Sequence, residues 1–267
     1  DIYFAGVLDW GVEGIALGTI IAEWSTVIFA VWLIMRELNS RLELGSEFWP
    51  RSRLLDAAAL KKTLATNRDI MIRTLLLVFS FGFFINQSAQ FGDVMLAANH
   101  ILLQLISFAA FFLDGYAFVV ESLVGSSVGA RRRDSFDIAV KRSSILALVT
   151  ATALALLLLV FGDLAVAVLT DLESVQTAAQ ESLFLAAIYI LFSFAAFQLD
   201  GVFIGASFTR QMRNAAFLSI AVFLFAWWVL MDRFGVNGLW WSMIIYVAAR
   251  AGALLLFYPA LRKFIDH

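Results

Sequence analysis

Seven residues between His100 and Glu121 fall at spacings of four and three: His100, Gln104, Ser107, Phe111, Asp114, Phe118 and Glu121. On a helix that spacing puts them on one face, with Leu102, Ala109 and Leu113 opposite. The stretch is otherwise apolar and long enough to cross a bilayer. Each charged group at the centre of a bilayer costs about 3 kcal/mol. A face carrying His, Gln, Ser, Asp and Glu is therefore expected to line a wet cavity or to pair with another helix. A second stripe follows the same rule: Tyr189, Ser193, Ala196, Asp200, Phe203 and Ser207. Its Phe197-Gln198-Leu199-Asp200-Gly201 echoes Phe111-Phe112-Leu113-Asp114-Gly115, so Asp114 and Asp200 are two intramembrane carboxylates, each followed by glycine.

Carboxylates taken out of water can exchange a proton near neutral pH, which is what a proton-coupled carrier needs. Asp200 and Asp114 are the candidates for that role, with Glu121 nearer a helix end. His100, Gln104, Ser107, Tyr189 and Ser193 complete the candidate cavity. The alternative is that each carboxylate pairs with Arg250, His100 or a neighbouring helix and serves structure alone. Most of the 26 phenylalanines are expected to face lipid or pack between helices; Phe79, Phe83, Phe84, Phe111 and Phe112, near the polar stripe, are the candidates for contact with an apolar or aromatic substrate. No metal site is expected, because the chain has no cysteine and only two histidines. Gly125–Arg132 is glycine-rich and basic but lacks the phosphate-loop pattern and follows a helix. With no nucleophile–base pair or nucleotide motif, the sequence speaks against an enzyme or a primary pump, and nothing in it points to nucleic acid.

The elements that hold these residues are membrane helices. Of 267 residues, 62% are hydrophobic and 15% charged, and the mean hydropathy is +0.87. A soluble domain carries about 25% charge. Runs of roughly 20 apolar residues predict seven spans, at 10–35, 70–90, 93–123, 138–169, 178–206, 211–231 and 237–261. The fourth is a candidate for a break near Gly162-Asp163, and Phe91-Gly92-Asp93 for a tight turn. The expected fold is an all-α polytopic membrane bundle.

If the spans alternate, 17 of the 19 basic residues fall on one side. Arg233 alone lies on the other, and Arg250 is inside a span. The positive-inside rule then places the N-terminus outside and the C-terminus in the cytoplasm. The connection over 36–69 carries a stretch from Ser52 to Lys62 that reads as an amphipathic helix on the inner leaflet or as a simple connector. A phrase recurs across the chain: Trp10-Gly11-Val12-Glu13-Gly14 and Phe234-Gly235-Val236-Asn237-Gly238, 224 residues apart with six spans between. It predicts a parallel repeat of a six-helix unit. The domains are then the last helix of one bundle (1–35), a cytoplasmic linker (36–69) and a complete six-helix bundle (70–267). The rest of the first bundle would precede Asp1.

Two six-helix bundles joined by a cytoplasmic linker resemble the multidrug and toxic compound extrusion (MATE) transporters, in their DinF-type (DNA-damage-inducible F) branch. The resemblance is carried by the Trp10 phrase, Asn67–Arg73, Ala98-Asn99, Leu113–Glu121, Gly129–Arg131, Leu199–Ala206 and Met212–Asn214. It adds Asn99 to the candidate cavity residues and implies helices six to twelve of a twelve-helix carrier. It further implies a bacterial inner-membrane exporter of amphipathic or cationic compounds, working by alternating access against inward H⁺ or Na⁺, with no bound cofactor. Asp200 sits where some branches carry a cation-site aspartate on the tenth helix. The acidic seventh-helix partner of sodium-linked members has no counterpart in Leu75–Phe81, so the resemblance favours H⁺. The first-helix aspartate of proton-linked members would lie in the preceding half, so this stretch is expected to need its N-terminal bundle. Two other readings stand beside it: a lipid or oligosaccharide flippase of the same superfamily, and a non-transporting subunit that docks to a separate partner.

Overall fold

In the computed structural model, residues 3–4, 10–41 and 56–265 are described, and all of their long elements are helices. These are α1 (Gly11–Arg41), α2 (Ala57–Ser88), α3 (Asp93–Gly129), α4 (Arg133–Leu169), α5 (Glu173–Gly205) and α6 (Thr209–Ile265). All six are long and apolar enough to cross a membrane. The chain divides into two units, 1–60 and 61–267. α1 runs to Arg41, beyond the expected end at 35. Residues 57–69 are helical and continue without a break into the span that follows. The rest of the expected linker, 42–55, lies outside the described residues.

A straight helix of 57 residues would be about 85 Å long, nearly three bilayer cores. Instead α6 breaks at Gly235, with φ 54° and ψ −128°, a conformation open to glycine and strained for other residues. The arms fold back on one another: Phe223 and Tyr246 have ring centroids 5.3 Å apart. A Cβ on Gly238 would lie 2.2 Å from the carbonyl oxygen of Leu230. The two arms are the sixth and seventh expected spans. In the repeated phrase, Gly11 also has a positive φ, 52°, and it too stands at the start of a helix.

The expected tight turn is also present, as a short 3₁₀ turn (Ala89–Phe91) closed by Gly92. The expected break at Gly162 is not. α4 is continuous to Leu169, and Gly162 makes room for Leu183 of α5.

α5 is the central element of the second unit, packed against α3, α4 and α6. Its approach to α3 is backbone on backbone. A Cβ on Gly201 would lie 2.3 Å from the Ala117 carbonyl oxygen, and one on Gly205 would lie 2.4 Å from that of Glu121. This is a small-xxx-small helix contact, which lets membrane helices pack without a hydrophobic driving force. Gly115, after the other aspartate, faces open space. α4 is tied in by polar contacts: the Ser143 hydroxyl donates to Gln198 Oε1 at 3.1 Å and Thr150 donates to the Tyr116 hydroxyl at 2.9 Å.

α2 is held by side chains rather than close backbone contact. Phe83 meets Trp227 and Phe223 edge-on, and Phe84 packs on Trp240. One end of this bundle gathers the start of α2, the α3–α4 and α5–α6 turns and the end of α6. It carries the ion pairs Arg213–Asp69 at 2.7 Å and Arg262–Asp137 at 2.6 Å.

Candidate functional site

Three charged side chains from three elements converge beside the close α3–α5 contact. Arg73 comes from α2, Asp200 from α5 and Arg250 from the second arm of α6. Arg250 Nη2 donates to Asp200 Oδ2 at 2.6 Å, and Arg73 Nη2 donates to the same oxygen. Asp200 and Arg250 are 7% and 8% exposed, so each needs the other to offset the loss of water. The Arg250 guanidinium also lies 5.9 Å from the centre of the Tyr246 ring, within cation–π range.

This triad forms one wall of a cavity of about 500 Å³, a volume that suits a drug-sized molecule. α3 supplies the facing wall with Ser107, Phe111, Asp114, Phe118 and Glu121, and α5 adds Tyr189 and Phe197. Asp114 and Glu121 form no salt bridge with any described residue. The formal charges on the lining are two positive and three negative. Ser107, Tyr189 and Ser193 also border an adjoining space of about 50 Å³, room for one or two waters. There the Ser107 and Ser193 hydroxyls donate to Leu103 and Tyr189 carbonyls of their own helices.

The structure therefore brings Asp114, Glu121, Ser107, Tyr189 and Asp200 to one cavity, with Ser193 beside it. His100 and Gln104 share the stripe but lie exposed, outside the lining. Asn99 is turned the other way, into the core. It donates to Ser88 Oγ at 3.0 Å and accepts from the Trp240 indole at 2.9 Å, at the end of the bundle away from the triad. Of the candidate aromatics, Phe111 lines the cavity and Phe84 is fully buried, while Phe79 and Phe112 are exposed.

Sequence reasoning did not place Arg73 in the site, nor Asp69 and Arg213 beside it. Asp69 and Arg73 are four residues apart, on one face of α2. That acid–base spacing at the mouth of a span was the available signal. Among the described residues no cluster of His, Cys, Asp or Glu is arranged to hold a metal ion.

The fold and the site define a multi-pass helical membrane protein with a charged, aromatic-lined cavity in its bundle. Residues 70–228 match the MatE family, and the chain belongs to that family, whose members are transporters rather than enzymes. It is 32% identical over 259 residues to the DNA damage-inducible protein F of Escherichia coli K12, covering 95% of this chain and 54% of that protein. It is 26% identical over 253 residues to the chloroplastic protein DETOXIFICATION 44 of Arabidopsis thaliana, covering 92% and 46%. The chain spans about half the length of these curated relatives. A crystal structure of a Vibrio cholerae MATE transporter in the bent form superposes with a TM-score of 0.80 at 19% identity, covering 100% of this chain and 59% of that one. An outward-facing multidrug resistance MATE transporter gives 0.85 at 12% identity, covering 100% and 60%. At these identities the superpositions speak to fold.

Proposed function

We propose that this chain supplies the C-terminal lobe, with the last helix of the preceding lobe, of a bacterial inner-membrane exporter. The exporter expels amphipathic or cationic compounds by alternating access in exchange for inward H⁺. The observation that carries the reading is the pair of unpaired carboxylates, Asp114 and Glu121, opposite an Arg73–Asp200–Arg250 triad in a 500 Å³ aromatic-walled cavity. Proton uptake at Asp114 or Glu121 breaks no ion pair, whereas at Asp200 it would break two. Asp200 is thus the counter-ion that keeps two arginines in the bundle, and Asp114 and Glu121 are the exchangeable groups. In the charged state they hold a cation against Phe111, Phe118 and Phe197. A proton arriving from outside neutralises them and releases the cargo.

Two arginines on the aspartate also leave little room for Na⁺ at that position, which supports H⁺ as the coupling ion. An excess of acidic over basic groups in the lining favours cationic cargo over the pyrophosphate-linked lipids of a flippase. The duplicated Trp10/Phe234 phrase and the coverage of the relatives support a second lobe that completes the pathway. With residue 1 outside and the C-terminus inside, the basic end of the bundle faces the cytoplasm.

The test is efflux of a fluorescent cationic dye from cells expressing the complete reading frame, at external pH from about 5.5 to 8. Asp114→Asn with Glu121→Gln is expected to lower efflux and flatten its pH dependence. Wild-type pH dependence in that double variant would sink the coupling role, and wild-type dye efflux at every pH would sink the cargo site.

A further inference from the structure

The adjoining space of about 50 Å³ is a recess of the main cavity, between α3 and α5. The two spaces share Phe81, Ser107, Ala110, Tyr189 and Phe197 as lining residues. Beyond these the recess is bounded by Ile106, Leu113 and Ile190, all buried. Its walls are apolar except at Ser107, Ser193 and Tyr189. The close α3–α5 contact explains why the two serines meet there. Gly201 sits against Ala117 and Gly205 against Glu121, so the helices run parallel in a constant register. Ser193, eight residues before Gly201, is then level with Ala109, eight before Ala117. That puts it two residues from the level of Ser107, a rise of about 3 Å.

Both serine protons are already taken. Ser107 Oγ donates to the Leu103 carbonyl at 2.8 Å and Ser193 Oγ to the Tyr189 carbonyl at 2.7 Å. A hydroxyl has one proton and two lone pairs, so each serine meets the recess as an acceptor. The space suits a group the size of a water, such as an amino or hydroxyl group, and not one enlarged by methyls. Asp114 lies on the same face of α3, two turns from Ser107 and about 10 Å along the axis. Ala110, between them on the helix, lines both spaces. We propose that the recess is a specificity subsite for cargo that carries an N–H or O–H donor about 10 Å from its cationic centre. The cation lies at Asp114, the aromatic body against Phe197, and the donor at Ser107 and Ser193. There it displaces a water and reproduces its hydrogen bonds, so no polar contact is lost. The inference rests on the cargo reading above and narrows it, since a fully N-alkylated cation has no hydrogen to donate.

The test uses the protein expressed from the complete reading frame and purified into nanodiscs. Binding is read by fluorescence polarisation, corrected for empty nanodiscs. The probes are a cationic rhodamine methyl ester with a free amino group at each end of its ring system and its tetramethylated counterpart. The amino dye is expected to bind about tenfold more tightly, the upper range for one hydrogen bond. Ser107→Ala with Ser193→Ala should remove that preference by weakening the amino dye, and retained binding of the tetramethylated dye will show that the variant folds. Asp114→Asn should weaken both dyes and leave their ratio unchanged, which separates the subsite from the cation site. Equal affinity of the wild type for the two dyes, or a preference that survives the double serine substitution, overturns the subsite and leaves the cargo reading standing. Binding of neither dye overturns the cargo reading and the subsite with it.

Discussion

Asp69 and Arg73 stand one helical turn apart on the same face of α2, and each is claimed by a different part of the bundle. Asp69 accepts from Arg213 on the first arm of α6 at 2.7 Å, while Arg73 donates to Asp200 on α5. Few backbone contacts hold α2 to its neighbours, so this pair fixes where the helix sits. Their opposite signs also fix its register: a shift by one turn would bring Asp69 toward Asp200 and Arg73 toward Arg250.

The two ion pairs should respond differently to mutation. The Asp69 side chain is 1% exposed and that of Arg213 is 25%. Arg213→Met leaves a buried carboxylate supported only by the exposed Arg68, 3.2 Å away. It is expected to cost about 3 kcal/mol. Asp69→Asn frees an arginine that can reach water, and should cost less. The double variant should recover part of the loss. Chemical unfolding of the purified protein with a double-mutant cycle reads the coupling, and additive losses would mean the pair does not hold α2.

Asp200→Asn should destabilise more than either of these, because it leaves two guanidinium groups facing each other in the bundle. A loss of about 3 kcal/mol or more is expected, with part of it regained in Asp200→Asn/Arg73→Gln. A thermal melt unchanged by Asp200→Asn would contradict the triad as a structural anchor.

The α3–α5 contact offers a paired test. At Gly201 an added methyl meets the Ala117 backbone, which cannot move aside as a side chain would. Gly201→Ala is expected to cost about 1–3 kcal/mol. Gly115→Ala, at the matching position after Asp114 but in open space, should be neutral or slightly stabilising, since alanine is the better helix former. Equal effects at the two sites in thermal unfolding would show that the close approach is not maintained.

These contrasts mark how far the sequence could be read. The polar faces of α3 and α5 were legible because lipid forbids their alternatives, and a 4-3-4-3 spacing has one helical interpretation. The kinked α6 was legible as two spans because Gly235 and the charged Asp232 and Arg233 interrupt the apolar run. Arg73 was hidden because a basic residue at a span's edge reads as a topology anchor. Its partner lies 127 residues away, beyond any local pattern. Asn99 entered the candidate cavity by resemblance alone. It is one position away from His100, a rotation of about 100° that puts it on the core face with Leu102, Leu103 and Ile106. α2 begins earlier than its apolar run because Ala57–Leu60 and the residues after them favour helix without favouring lipid.

Asp114 and Asp200 should separate by pH. Asp114→Asn removes a group whose protonation breaks no ion pair, so dye efflux should become less sensitive to external pH while the fold is kept. Asp200→Asn should lower efflux at every pH tested, together with stability. Efflux from cells across the pH series, set beside the thermal midpoint of each purified variant, distinguishes the two. A pH dependence lost in Asp200→Asn but kept in Asp114→Asn would reverse the assignment.

The two turns at the basic end share an uncommon feature. α3 ends with Arg131 at φ 53° and α5 with Ser207 at φ 59°. Both close in the same way: Arg132 N donates to Ser127 O at 2.9 Å, and Phe208 N donates to Phe203 O at 2.9 Å. Such helix ends ordinarily use glycine, because other residues lose about 1 kcal/mol or more in the left-handed region. Ser207→Gly is therefore expected to stabilise the protein by up to about 1 kcal/mol, with its exposed hydroxyl making no contact to lose. Ser207→Val should destabilise it, since a β-branched residue resists positive φ most strongly. Arg131→Gly should give the smaller benefit, because it also removes a charge from the basic cluster Arg131–Arg133. A higher melting temperature for Ser207→Gly and a lower one for Ser207→Val check the turn; equal midpoints would mean that residue 207 does not hold the left-handed conformation.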